Sequence, residues 1–527
     1  MGFQNPITWN CQCTLKNNQN SIQMDTIKKR APWVNWALFF GTMIIVFLLG
    51  LLASSITQRK AESEYVYKPK VNLSEYEPRN DLWGENFPRE YQSYLTTADT
   101  SFHSEFNGNA VSDALGKDPR MVILWAGYAF SKDYKAPRGH YYAITDIRNT
   151  LRTGTPKGPD DGPQPNTCWT CKSPDVPRLM EKMGAAGFYK GKWAAKGAEV
   201  VNFIGCADCH DPKTMDLRIT RPALVEAFNS MGKDISKATH QEMRSLVCAQ
   251  CHVEYYFDKK RADAPDVAYL TFPWSLGLTA DSALKYYNSH GFTDFTHQLS
   301  KAPILKAQHP DYEVYLTGIH AQRGVACADC HMPYVKEGGQ KFTSHKIASP
   351  LLNISNTCQV CHRESEETLK NNVYERQRKV KEIRDQSEIE LVKAHVEAKI
   401  AWESGATQEE MNPALQHIRN AQWYWDYSAA GHGNAFHSPV EVSRIIGLSI
   451  SESKEARILL ARVLAGHGMN REVPYPDIAT KALAQKYIGL EMEILNAEKA
   501  GWIKTIPVEW DRKARERQDS WKIQKAE

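Results

Sequence analysis

The sequence predicts a mainly α fold in three parts: an apolar N-terminal helix, a loop-rich centre and long helices towards the C-terminus. Three observations predict it. An unbroken apolar run covers about Trp36 to Ala53. Five Cys-x-x-Cys motifs crowd into residues 168 to 362. From residue 364 to 403 there is neither Gly nor Pro, and Leu369, Val373, Val380, Ile383, Ile389, Val392 and Val396 recur at roughly helical spacing.

The apolar run follows Lys28, Lys29 and Arg30. Basic residues ahead of such a run mark an export signal, and about 18 residues is near the length that spans a bilayer. The positive-inside rule puts residues 1–32 in the cytoplasm as a tail. Residues 33–56 are then either an uncleaved signal anchor or a signal peptide cut after Ala53-Ser54-Ser55. Either outcome leaves the bulk of the chain on the periplasmic side of the cytoplasmic membrane, anchored or soluble. Residues 57–100 are polar and contain Pro, which predicts a tether. Cys11 and Cys13 fall in the tail, on the reducing side. The formal charge of +4 gives no basis for nucleic-acid binding.

Ten of the 12 cysteines sit in the five motifs. Four motifs end in histidine: Cys206 to Cys209 with His210, Cys248 to Cys251 with His252, Cys327 to Cys330 with His331, and Cys358 to Cys361 with His362. One ends in lysine: Cys168-Trp169-Thr170-Cys171-Lys172. C-x-x-C-H is the attachment signature of c-type haem, with two thioethers to the macrocycle and the imidazole on iron. A disulfide framework or paired zinc ligands would not repeat the trailing histidine. The chain is therefore read as a multihaem cytochrome c with five covalently bound haem c groups. Motif starts lie 38, 42, 79 and 31 residues apart, too irregular for a solenoid and too tight for one domain per haem. Residues 101–365 are thus expected to form one shared haem core.

Residues 366–527 complete the same domain as a helical part. Gly405 stops the first long helix. Thr407 with Glu410 makes a capping box for a second, which runs to about Ala430 before Gly431. Two further helices are expected near 452–466 and 477–499. A charged amphipathic helix as long as the first is either a solvated face or an oligomer face.

Haem iron has two axial positions, and electron-transfer haems fill both. The four C-x-x-C-H haems therefore need four more ligands, from 13 histidines outside the motifs. The residues alone do not choose among them. Lys172 stands where the other motifs place an imidazole. An amine binds iron only when neutral, against a free pKa near 10.4, so it needs a dedicated site. The alternative is a degenerate motif with Lys172 in solvent. A haem with a different proximal ligand is the one expected to stay open on its far side, where substrate binds.

Beyond the motifs, three strings carry a resemblance: Leu151-Arg152-Thr153-Gly154 ahead of Cys168, Val253-Glu254-Tyr255-Tyr256-Phe257 after His252, and Leu305-Lys306-Ala307-Gln308-His309-Pro310. With Cys168-Trp169-Thr170-Cys171-Lys172 they resemble the ammonia-forming pentahaem cytochrome c nitrite reductases, the cytochrome c-552 family, over about Pro119 to Val508. The resemblance implies Lys172 as the proximal ligand of the catalytic haem, with Arg152, Tyr255 and His309 above it. It implies one or more Ca2+, held by the Glu254 carboxylate, the carbonyls of Tyr255 and Lys306 and the side-chain oxygen of Gln308, an oxygen set that suits the ion. It implies His345, His140, His437 and His320 as the far-side ligands of the second, third, fourth and fifth haems. The family often has a further histidine at position 435, which is Ala435 here, so His432 is the local alternative to His437. It also implies nitrite as substrate, six-electron reduction to ammonia, a quinol-oxidising multihaem cytochrome or complex as donor, and a homodimer joined by long C-terminal helices. Two other readings stay open: a pure electron-transfer protein with Lys172 vestigial, and a related enzyme acting on hydroxylamine or a sulfur oxyanion.

Overall fold

The computed structural model describes residues 31–63, 69–106, 108–262, 264, 266–521 and 524–525. Nearly all of the expected cytoplasmic tail, with Cys11 and Cys13, lies outside them. The chain forms two units, residues 1–67 and 68–527. In the first, α1 (Pro32–Ser63) is one unbroken helix. Its segment Pro32–Thr57 has 26 residues and a mean hydropathy of 2.4. At 1.5 Å per residue that is about 39 Å, enough to cross a hydrocarbon layer of about 30 Å.

In the second unit the expected tether is corrected over residues 69–100, which fold against the rest. They form α2 (Asn80–Asn86) and α3 (Pro88–Leu95), with Pro88 at the helix start where its missing N–H does no harm. Trp83 is completely buried and donates its indole N–H to the Glu77 carbonyl at 2.9 Å. The Asn80 amide accepts the Cys206 N–H at 3.0 Å and donates to the Phe203 carbonyl at 3.1 Å. A polar, Pro-containing composition reads as a linker, but one indole and one amide anchor it.

The centre is loop-rich. Among its helices are α4 (Arg120–Leu124), α5 (Asp175–Tyr189), α6 (His240–Ala249) and α7 (Asp311–Leu316). The described strands pair only as two-stranded antiparallel ribbons, none longer than four residues. Long helices follow. In α8 (Glu366–Glu403), Ser365 Oγ caps the Thr368 N–H at 3.2 Å. In α9 (Gln408–Ala430), the Thr407 hydroxyl accepts the Glu410 N–H at 3.3 Å and the Glu410 carboxylate accepts the Thr407 N–H at 2.7 Å. This is the reciprocal cap that Thr407 and Glu410 predict.

Two helix boundaries differ from expectation. α10 (Pro439–Gly466) begins well before residue 452. Its first half is rich in β-branched residues with weak helix propensity, but Val442, Ile445 and Ile446 are fully buried and packing decides. The helix expected over 477–499 is two: α11 (Lys481–Tyr487) and α12 (Met492–Ile503). Gly489 between them sits at φ +75, which favours glycine and breaks the helix. A last helix, α13 (Ile506–Asp519), starts with Pro507 in its first turn.

Helices α8, α9 and α10 pack around Leu391, Leu415, Ile418, Trp425 and Leu460, with Val122 and Ile123 of α4 against them. Each such aliphatic side chain contributes about 1.5–3 kcal/mol on burial. Arg120 joins α4 to α8, pairing with Asp118 at 2.6 Å, Asp385 at 2.5 Å and Glu388 at 2.8 Å.

This core holds two stacked imidazoles, His297 and His395, with ring centres 3.7 Å apart and no exposure. Burial lowers both pKa values, that of His395 to about 4. Between pH 6.5 and 4 the unfolded chain therefore binds protons that the folded chain refuses, so stability falls as pH falls through that window. His395 alone accounts for about 2 kcal/mol between pH 7 and 5. The expected result is a thermal midpoint that drops less over this interval in His395→Gln than in the parent. Equal drops would remove the pair from the acid response.

Candidate functional site

One cavity of about 1950 Å³ runs through the second unit, well above the size of a single small-ligand pocket. All ten motif cysteines line it, together with Lys172 and the four motif histidines. The ten thiols are free of disulfides. Residues between and beside the motif cysteines brace the motifs against one another. Buried Arg221 donates to the Thr170 carbonyl at 2.9 Å, the Ser173 carbonyl at 2.8 Å and Asp208 at 2.5 Å, joining the first motif to the second. The Gln250 amide donates to the Asp208 carbonyl at 3.2 Å, joining the third to the second. On α6, Gln241 and Arg244 donate to Asp329 at 2.7 and 2.9 Å, and Ser245 Oγ accepts the Cys327 N–H at 3.1 Å, joining the third to the fourth. The thiols of Cys171 and Cys251 lie close enough to shift each other's titration, as do those of Cys248 and Cys327.

Each motif histidine faces a second imidazole across the cavity. Ring centres are 6.1 Å apart for His210 and His345, 6.4 Å for His252 and His140, 6.2 Å for His331 and His437, and 6.4 Å for His362 and His320. Metal–imidazole bonds run about 2.0 Å and the ring centre lies roughly 1.1 Å further, so two rings on one metal sit about 6.2 Å apart. The four gaps have that width. Hydrogen bonds also set the tautomers. Nδ1 of His210 donates to the Met215 carbonyl at 2.8 Å, of His331 to Ala348 at 3.0 Å and of His345 to Thr343 at 2.9 Å, while that of His252 meets the Asp311 carboxylate at 3.2 Å. Nε2 is left for a metal. Burial holds His140, His345 and His437 down to about 4, so each is neutral and ligand-ready at pH 7. Gly433 allows the His437 ring its place, because a Cβ there would lie 2.4 Å from the ring. His432, the alternative to His437, lines the same cavity, but it is His437 whose ring faces His331.

Lys172 has no such counterpart in kind. The cavity there is lined by Arg152, Tyr255 and His309. Their proximity is visible in the electrostatics. Burial pushes the Cys168 thiol up to about 12, and the charges of Lys172 and Arg152 pull it back. Burial lowers His309 well below the usual histidine range, and Lys172 lowers it further. Tyr255 is raised well above its ordinary value by burial and by the thiols of Cys171 and Cys168, so its hydroxyl stays protonated. Arg152 sits in a short 3-10 turn, Leu151–Thr153. Its Nε donates to Thr150 Oγ1 at 3.2 Å and its guanidinium lies 4.3 Å from the Phe130 ring centre. It pairs with no carboxylate among the described residues, which leaves the fork available to an anion.

Glu254 is 1% exposed and meets no basic side chain among the described residues. Its carboxylate accepts the Tyr287 hydroxyl at 2.8 Å and the Gln308 N–H at 2.7 Å, and burial raises its pKa well above the usual range. The Gln308 side chain reaches the Lys306 carbonyl at 3.1 Å. Three of the four predicted oxygen sources are thus adjacent, around a buried carboxylate. Several supporting residues carry no signal in the sequence: Asp311 on His252, Tyr287 on Glu254, and Asp426, whose carboxylate pairs with Lys306 Nζ at 2.9 Å. Only Asp311 lay close to a motif, two residues after His309.

The family model for cytochrome c552 matches residues 79–521. Cytochrome c-552 of Bacteroides thetaiotaomicron is 58% identical over 489 residues, 93% of this chain and 98% of that protein. The corresponding protein of Maridesulfovibrio salexigens is 45% identical over 482 residues, 90% of this chain and 94% of the other. Among solved structures, a cytochrome c nitrite reductase from Desulfovibrio desulfuricans, with two calcium sites in its catalytic subunit, superposes with a TM-score of 0.70 at 30% identity. The match covers 80% of this chain and 91% of that one.

Proposed function

This chain belongs to the cytochrome c552 family and is an oxidoreductase of the cytochrome c nitrite reductase kind, and from that premise we propose that it reduces nitrite to ammonia by six electrons at a haem c held by Cys168, Cys171 and Lys172. The observation that carries the reading is the contrast among five otherwise equivalent motifs: four face a second imidazole across an iron-sized gap, and one offers a lysine beside Arg152, Tyr255 and His309. Haems at the other four motifs would be held by the pairs His210 and His345, His252 and His140, His331 and His437, and His362 and His320.

A haem held by Cys168, Cys171 and Lys172 would supply a redox-active iron and the electrons for the reduction. The protein supplies the rest. Arg152, a permanent cation, receives the nitrite oxygens on its fork. His309, neutral and buried, donates a hydrogen bond from its ring N–H to a nitrite oxygen and can relay protons that reach it from outside the pocket. Tyr255, protonated, donates from its hydroxyl. Nitrite, six electrons and eight protons give ammonium and two waters, so protons must be delivered to both oxygens and to nitrogen. Glu254, the Tyr255 and Lys306 carbonyls and Gln308 would hold Ca2+, whose positive charge beside the pocket would favour anion entry. The D. desulfuricans neighbour's calcium sites support that assignment.

The same reading makes α1 a signal or membrane anchor, residues 1–32 a cytoplasmic tail and the haem domain periplasmic. It gives a quinol-oxidising multihaem cytochrome or complex as donor, and a homodimer through the long C-terminal helices. The test is spectroscopic and chemical. Paramagnetic and electronic spectra of the oxidised protein should show one high-spin and four low-spin haems, with nitrite perturbing only the former. A reduced dye should be oxidised by nitrite with ammonium as product. Five low-spin haems, or nitric oxide as the end product, would sink the proposal.

A further inference from the structure

The turn that carries Arg152 is held from behind by the C-terminal helix α12. Lys499 on that helix is 3% exposed, and its Nζ donates to Thr153 Oγ1 at 3.0 Å and to the Gly154 carbonyl at 2.6 Å. One turn on, the Trp502 indole donates to the Pro156 carbonyl at 2.8 Å. The Lys499 ammonium lies 4.2 Å from the Trp502 ring centre and pairs with no carboxylate among the described residues. Burial pushes it down to about 7, opposed by Asp133.

A buried amine without a counter-ion is an expensive way to fill space, since a Met or Leu of similar volume would fill it without desolvation. What the amine does that an apolar side chain would not is fix the two residues that follow Arg152. Gly154 needs the fixing, because it sits at φ +65, where the chain reverses and the turn ends. From the other side the Leu151 N–H is held by Asp133 at 3.2 Å, and the Arg152 carbonyl by the Gln164 amide at 3.2 Å. Among the described residues the guanidinium has no carboxylate partner and is oriented by the Thr150 hydroxyl and the faces of the Phe130 and Tyr134 rings. Its aim therefore depends on the backbone of the turn.

We propose that Lys499 is a positioning residue for Arg152: its Nζ, clamped on Thr153 and Gly154, aims the guanidinium at the anionic substrate. The inference rests on the reading of Arg152 as the nitrite-binding cation. It makes a selective prediction. Nitrite carries the charge that Arg152 would engage, whereas hydroxylamine is neutral at pH 7.5. Misaiming the guanidinium should weaken the first substrate far more than the second.

The experiment uses the full haem-loaded protein with Lys499→Met, Arg152→Gln and the double variant. Nitrite affinity is read without turnover, by spectral titration of the oxidised protein, and KM and kcat are then measured for nitrite and hydroxylamine. Lys499→Met should weaken nitrite binding about tenfold, since small misplacements of a positioning group have effects of this order or larger. KM for hydroxylamine should stay within about twofold, and amide hydrogen exchange over residues 151–156 should quicken. In the Arg152→Gln background, Lys499→Met should add nothing to the loss of nitrite affinity, because a residue that acts through another is silent once the other is gone. Equal losses for nitrite and hydroxylamine, or additive losses in the double variant, overturn the inference. If Arg152→Gln weakens nitrite binding while Lys499→Met does not, Lys499 is excluded and the reading of Arg152 stands. If Arg152→Gln itself leaves nitrite affinity unchanged, the reading of Arg152 is what has failed.

Discussion

Replacing Lys172 with histidine is expected to leave haem attached at Cys168 and Cys171 and to lower nitrite turnover by about a hundredfold, roughly 3 kcal/mol of barrier. Attachment should survive because the two cysteines and the brace from Arg221 to the Thr170 and Ser173 carbonyls do not involve the lysine side chain. Turnover should fall because histidine would make the first motif chemically equivalent to the other four, whose proposed role is to pass electrons. Covalent haem content by pyridine haemochromogen and initial rates with a reduced dye measure the two effects separately. Parent-like turnover with intact haem content would take Lys172 out of the mechanism.

The difference between Lys172 and the far-side histidines shows what a sequence displays and what it hides. A haem attachment motif is local: two thiols and the next side chain on one short turn, so residue types at fixed spacing announce it. The histidine across the iron is delivered by the tertiary fold. His140 comes from well before the third motif and His437 from well after the fourth, and no spacing rule links either to its partner. Their selection from 13 candidates depended on the resemblance. Helix ends behaved the same way. Thr407 and Glu410 cap a helix through side chains three residues apart and were legible. The early start of α10 depends on Ile445 and Ile446 meeting α8 and α9, and was not. The anchoring of residues 69–100 turns on Trp83 and Asn80, two side chains in a stretch whose average is polar. Lys499 and Asp426 are invisible for a related reason: each is one charged residue on a helix of mixed composition, and only the fold shows that it points inward.

Asp426 gives the largest expected effect on stability. Its carboxylate and the Lys306 ammonium form a buried pair at 2.9 Å, with side chains 0% and 2% exposed. The same carboxylate takes the Trp125 indole at 3.4 Å, and the ammonium lies 4.8 Å from the centre of the Phe130 ring that also carries Arg152. Asp426→Leu would strand a cation in this apolar site. Breaking a buried pair from one side costs about 3–5 kcal/mol, which for a unit of this size corresponds to a fall in thermal midpoint of roughly 3–5 °C. The disturbance should also reach the site. The Lys306 carbonyl anchors Gln308, and the Lys306 N–H is held by Asp294 at 2.8 Å, so the strand that presents His309 shifts when Lys306 moves. Removing both charges is different in kind. Lys306→Met with Asp426→Leu leaves no stranded group and keeps the backbone carbonyl, so most of the lost midpoint should return. Bound calcium, measured by elemental analysis after dialysis, should fall in the single variant and recover in the double one. A single variant as stable as the parent would show that the pair bears no strain. A double variant no better than the single would show that the pair's geometry, and not the uncompensated charge, holds this strand in place.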